Sequence, residues 1–303
     1  MPVTHSVPRR RALLIPSAAA ASALAITGCG LVQDDETIDI IVTESAPFQE
    51  PTEIARDLLE EQGYELDVTY VTDINQPNQV VSSGEYDANY FQHLAYLHNF
   101  NEANDTQVEP LFSVYYAPSA LFSLEHDSLD DLPEGAEVNL PVDPSNNGRA
   151  LQLLADAGLV EIDEEVPVVE LSQNDITDNP KNLEFIETDQ QSGAQVLPDV
   201  DLGFAFVRLV AEAGYEVDDT LLHLEDGRDE VRTPFTCVVA VGPEGVTDEQ
   251  AQALQDAFQS EEVEQWFDDY QGGVIDYADF ITLDNAEEIW AEFTDNAAGE
   301  GEA

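Results

Sequence analysis

Ile38-Asp-Ile-Ile-Val42 and Leu66-Asp-Val-Thr-Tyr70 bracket a segment in which Ile54, Ala55, Leu58 and Leu59 recur on one helical face and Gly63 supplies a stop. The first run has the composition of a buried strand, and the second alternates apolar and polar residues as a strand does. The segment between them predicts a helix from about Thr52. Strand, helix and strand at this spacing form a βαβ unit, which requires a parallel pair and a crossover. Working outward, a short helix near 77–83, a strand at 87–91 and a helix around Leu94 and Leu97 repeat the theme, followed by strands near 111–115 and 119–124. A second series has strands at 137–141, 166–171 and 201–206, with helices over 146–158 and up to Gly214. A strong strand at 235–241 precedes Thr247-Asp-Glu-Gln250, a capping box that opens a helix through Leu254 and Phe258. Later helices carry Val263, Trp266 and Phe267, then Ile289, Trp290 and Phe293. Two α/β series in tandem, with elements left over at the C-terminus, predict two lobes. Each would be a mainly parallel sheet flanked by helices, with a ligand cleft between them.

Length and charge narrow the function. The chain has 303 residues, 64 acidic against 9 basic side chains, and a net charge of −55. At 43% hydrophobic residues it can build a core, which a disordered acidic chain cannot. Phosphate binding needs a basic footprint, so nucleic acid is excluded as a partner, and so is attraction to anionic lipid head groups. The acids are spread along the whole chain rather than gathered in a tail, which reads as a surface built for screening by concentrated salt.

The N-terminus reads as an address. Arg9-Arg-Arg11 precedes an uncharged, alanine-rich run from Ala12 to Thr27 that ends Ile26-Thr-Gly-Cys29. This is the layout of a secretory signal over residues 1–28. It is too short for a spanning helix. Cys29 stands where a bacterial lipobox places its acylated cysteine, with residues 29–36 as a tether, so the expected location is extracytoplasmic and lipid-anchored. Removing residues 1–28 takes away three of the nine basic residues and no acid. Cys237, in Thr236-Cys-Val-Val-Ala-Val241, reads as an inert core thiol.

Catalytic chemistry finds little support. No HExxH, CxxC, GxSxG, phosphate-loop or dinucleotide fingerprint is present, and His93 and His98, five apart, do not share a helix face for a metal. No enzyme activity, metal or cofactor is expected. Pro141-Val-Asp-Pro-Ser-Asn-Asn-Gly-Arg149 is more informative: a turn and N-cap open a helix whose first-turn amides face the crevice, with Asn146 and Arg149 beside them. A guanidinium there suits a carboxylate, although in so acidic a chain Arg149 can equally bridge to one of the acids. In Asp87-Ala-Asn-Tyr-Phe-Gln-His-Leu-Ala-Tyr96, the residues Phe91, His93 and Tyr96 fall at a strand end and can wall an apolar pocket; Tyr115 can do the same.

Together with Asp178-Asn-Pro-Lys-Asn-Leu183, these segments resemble the methionine-binding lipoproteins (NlpA/MetQ type), the solute receptors of methionine ABC importers, over about residues 37–280. The resemblance implies a two-lobed periplasmic-binding fold (type II). Lobe I would comprise 37–116 plus 234–303 and lobe II 117–233, closing about crossovers near 116–118 and 232–234. It implies a monomer that captures a small amino acid, methionine first, and delivers it to permease and ATPase subunits. Arg149 would take the ligand carboxylate with Asn146 beside it, and Phe91, His93, Tyr96 and Tyr115 would surround the thioether. One departure stands out. Phe206 falls where the family places a ligand-contacting asparagine, so either Arg208 or a neighbour substitutes, or the ligand is another apolar amino acid or small peptide. An extracytoplasmic enzyme or adhesin on the same scaffold is the remaining alternative.

Overall fold

The computed structural model describes residues 36–243 and 245–297. The expected signal and lipidation segment, including Cys29, lies outside them. The chain begins β1 (Thr37–Thr43), α1 (Ala46–Gln62), β2 (Glu65–Val71), α2 (Pro77–Ser82), β3 (Ala88–His93), α3 (Leu94–Asn104) and β4 (Glu109–Tyr116). It then passes into a second sheet through β5 (Ser119–Phe122), β6 (Glu137–Pro141), α4 (Pro144–Asp156), β7 (Glu161–Ile162), β8 (Ile176–Asp178), β9 (Glu184–Thr188), α5 (Gly193–Val196), β10 (Leu202–Phe206), α6 (Val207–Glu212), α7 (Val217–Thr220), β11 (Leu221–Leu224) and α8 (Asp229–Arg232). It returns through β12 (Thr236–Val241), α9 (Asp248–Phe258), α10 (Glu261–Asp269), β13 (Asp276–Tyr277) and α11 (Ala286–Ala297).

The strands form a six-stranded sheet, β13-β4-β12-β3-β1-β2, and a five-stranded sheet, β11-β5-β10-β6-β9, each the centre of one lobe, while β7 and β8 pair as a separate two-stranded sheet. The expected βαβ unit is present: β1 pairs in parallel with both β2 and β3. The sheets are nevertheless mixed rather than mainly parallel. β12 runs antiparallel to both β3 and β4, and β5 runs antiparallel to β10 and β11. The cause is the double crossing, because a strand that arrives from the other lobe does not come by way of a crossover helix.

Two further differences have local causes. The first helix starts at Ala46, six residues before the expected start at Thr52, because Pro47 sits in its first turn. Pro51 lies inside the same helix and cannot donate to Pro47 O; the Tyr90 hydroxyl donates to that carbonyl instead, at 3.1 Å. Residues 166–171 form turns instead of a strand. Glu170 and Leu171 both donate to Pro167 O, folding the segment so that Val169 and Leu171 enter different apolar clusters.

The main core lies between α1, α9, α10 and the six-stranded sheet, around Tyr90, Phe112 and Phe258. A second core packs Leu151 and Leu154 of α4 against the other sheet. A third cluster straddles the two lobes: Phe293 and Ala297 of α11 meet Leu94 and Val238 on one side and Val169 and Val231 on the other.

Candidate functional site

The C-terminal end of β3 and the N-terminal end of α4 face each other across the two sheets. His93, the last residue of β3, caps α3 with its ring: Nδ1 accepts from Tyr96 N at 3.1 Å. An accepting Nδ1 puts the single proton of the neutral ring on Nε2, which then donates to Asn146 Oδ1 at 3.2 Å. Burial, reinforced by the Arg149 charge, pushes the His93 pKa down to about 3, so this link between the lobes is uncharged. Asn146 Nδ2 in turn donates to Asp143 Oδ1 at 2.9 Å and to Gln190 Oε1 at 2.7 Å. Asp143 is the N-cap of α4, accepting from Asn146 N. Gly148 allows the helix to approach the 166–171 turns, since a Cβ there would lie 2.1 Å from Val168 O.

Arg149 is 2% exposed. Its Nε donates to Glu225 Oε1 at 2.7 Å, and its Nη2 donates both to Glu225 Oε2 and to Ala117 O at 3.0 Å. Burial disfavours the charge, but Glu225 outweighs this and the guanidinium pKa is raised. The guanidinium also lies 4.4 Å from the Phe235 ring centre and 5.4 Å from that of Phe206. Glu225 Oε2 accepts further bonds from the Tyr116 hydroxyl and from Ser119 N at 3.2 Å. Both segments that connect the lobes, 117–118 and 225–235, are therefore tied to α4 through one buried ion pair.

Beside this pair is an internal cavity of about 40 Å³, which places Phe91, His93, Tyr115, Arg149, Phe206 and Arg208 on one wall system. Asn146 stands one layer behind it through His93. Tyr96 is also behind: its ring is 5.7 Å from Phe91 and its hydroxyl donates to Ile74 O at 3.2 Å. Tyr115 has a second role in the core, stacked on Phe267 at 5.2 Å. The cavity also takes Phe48, Phe235, Gln190 and Gln191, which periodicity does not single out. Cys237 lines it too, with its thiol pushed up to about 11 by burial, so no thiolate forms at neutral pH. A volume of about 40 Å³ holds roughly three waters, so an amino acid fits only once the lobes have moved apart. Outside Gln190 and Gln191 a wider pocket of about 350 Å³ opens between 43–45, 72–75 and 189–191.

Arg208 is also 2% exposed. Nη1 donates to Glu212 Oε1 at 3.1 Å and to Ser45 Oγ at 3.3 Å, while Nε is buried with no hydrogen-bond partner among the described residues. Away from the cleft, Glu125, His126 and Asp201 bring ligand-type atoms together on lobe II, where His126 Nε2 meets Asp201 Oδ1 at 3.1 Å. Asp201 also accepts from Glu137 N at 2.8 Å. These bonds account for Asp201 without an ion.

The model of the NlpA lipoproteins matches residues 39–278. The chain belongs to the NlpA lipoprotein family. It is 30% identical over 244 residues to the D-methionine-binding lipoprotein MetQ of Salmonella typhi, covering 79% of this chain and 88% of the relative. It is 29% identical over 241 residues to the methionine-binding lipoprotein MetQ of Bacillus subtilis, covering 78% and 86%. Among solved structures it resembles a nutrient-binding protein from Burkholderia cenocepacia bound to methionine, with 27% identity, a TM-score of 0.72 and coverage of 80% of this chain and 99% of that one. A periplasmic substrate-binding protein of an ABC transporter from Coxiella burnetii is similar at 28% identity, a TM-score of 0.71, and 80% and 100% coverage. The family consists of substrate-binding proteins rather than enzymes, and the two-lobed fold is the family's. Helix α11 lies beyond the matched segment.

Proposed function

We propose that the chain is the lipid-anchored solute receptor of an ABC importer, taking up methionine or a close derivative. The observation that carries this reading is the cavity between the lobes, where Arg149 and Arg208 flank aromatic walls from Phe91, Phe206 and Phe235. Such a site pairs a donor-only cationic end with an apolar body. The ligand carboxylate would meet the guanidinium edge of Arg149 that Glu225 leaves open, with Asn146 holding His93 alongside; the thioether would lie against Phe91 and Tyr115. Lobe I (37–116 with 234–303) and lobe II (117–233) would close about 117–118 and 225–235, a hinge transition. Permease and ATPase subunits are the partners this implies, reached by a monomer tethered through acylated Cys29.

The test is a thermal-shift screen of the processed chain, residues 29–303, in about molar salt against the twenty amino acids and methionine derivatives. Ligand at 100 times its Kd stabilises by about 2.7 kcal/mol. A shift with methionine or its derivatives supports the reading, and a flat profile across the panel overturns it. Anchoring is tested separately: Cys29→Ser should move the protein from the membrane fraction to the soluble one.

A further inference from the structure

The cavity inverts the composition of the chain around it. Against 64 acidic and 9 basic residues overall, its walls carry two arginines and no carboxylate. Arg149 is paired with Glu225, which lines a separate small cavity and not this one. Arg208 is less well compensated. Its i,i+4 partner Glu212 is 35% exposed and also accepts from the Tyr270 hydroxyl at 2.6 Å, and Nε of Arg208 is left buried and unsatisfied. A buried charged donor without an acceptor is costly, and it points to an anion that arrives with the ligand. Both guanidiniums line this cavity and lie near one ring, with their central carbons 5.4 and 5.8 Å from the centre of Phe206. The other polar walls are Gln92, Gln190, Gln191 and a His93 that stays neutral, none of which supplies a counter-charge for an ammonium.

We propose that Arg208 is a second carboxylate anchor and that the cleft prefers an apolar monoanion whose α-nitrogen is absent or acylated over the zwitterionic amino acid. This rests on the receptor reading above and names the charge class of its ligand. Arg208 donates through Nε to the carboxylate, Arg149 donates to it as well, and the side chain fills the aromatic wall. An α-ammonium in the same pose would be desolvated beside two guanidiniums.

The experiment is calorimetry on the processed chain in about molar salt with four probes: methionine, its 2-oxo analogue, N-acetylmethionine and methioninamide. The expected result is that the 2-oxo acid or the N-acetyl acid binds at least about tenfold tighter than methionine, the scale of one charge-assisted hydrogen bond, with no binding of the amide. Methionine binding as tightly as both acids would overturn this inference and leave the receptor reading standing. Absence of binding by all four probes would overturn both. Arg208→Gln should cost the acids at least about tenfold, while Glu212→Gln, which removes the ion-pair partner and keeps the anchor, should leave them within about threefold. Equal losses in the two variants would reduce Arg208 to a structural role and overturn the assignment.

Discussion

Replacing Glu225 by alanine should be strongly damaging to the segments that connect the two sheets. It strips Arg149, 2% exposed, of its ion-pair partner and leaves the Tyr116 hydroxyl and Ser119 N without their acceptor. Removing one member of a buried pair costs about 3–5 kcal/mol, because the surviving charge remains desolvated. At about 2–4 °C per kcal/mol for a domain of this size, the melting temperature should fall by about 6–20 °C. Urea unfolding followed by circular dichroism in about molar salt measures the loss directly. Replacing both partners by apolar residues of similar shape, Arg149→Met with Glu225→Leu, should recover most of that stability, since no lone charge is then left buried. Full recovery is not expected, because Ala117 O and Ser119 N still lose their partners. A loss below about 1 kcal/mol for Glu225→Ala would match an exposed pair and refute the argument.

Three other outcomes follow from the same geometry. The melting temperature should climb as salt rises from dilute buffer to about 1 M, where the screening length shrinks to about 3 Å; a flat profile would contradict the account of the −55 charge. His93 stays neutral in the folded protein down to about pH 3, whereas the unfolded chain protonates it near 6.5, so its contribution is intact above pH 6.5 and is lost as pH falls toward 3. Measured as the stability difference between wild type and His93→Gln, the gap should narrow across that window, and a constant gap would count against burial as the cause. Gly148→Ala should destabilise by about 1–3 kcal/mol or more, because its Cβ would meet the backbone oxygen of Val168 at 2.1 Å; a neutral effect in chemical denaturation would show that the turn can yield.

The parts of the site that follow strand and helix ends were legible in the sequence. Phe91, His93 and Arg149 could be placed because a strand's last residues and a helix's first turn have fixed directions once the βαβ pattern is recognised. Glu225, Phe235, Gln190 and Gln191 could not. Glu225, Gln190 and Gln191 lie on connecting segments without periodicity, and Phe235 only opens the expected strand; Phe235, Gln190 and Gln191 reach the cavity through how the two sheets are set against each other, and Glu225 touches it through Arg149. For Arg149 both expectations drawn from the sequence meet in one place, since it bridges to an acid and also faces the cleft. The strand expected at 166–171 fails because Pro167 turns the chain, and apolar residues at alternate positions then serve two clusters instead of one sheet face. Parallelism was overestimated because βαβ spacing describes the outbound chain only; β12 enters on the return.

That return strand also dictates an order of assembly. β12 sits between β3 and β4, so the six-stranded sheet stays split in two until residues 236–241 exist and have found their slot. The five-stranded sheet, by contrast, is built wholly from the continuous stretch 119–224. Pairings that span well over a hundred residues form slowly, because loop closure precedes any reward from contact. A chain emerging from its N-terminus thus completes the inner lobe while the outer one is still open, and the half-sheet β1-β2-β3 waits with an unpaired edge for most of synthesis. A nascent polypeptide held in that state carries one finished lobe and one whose strand edges still wait for their partner.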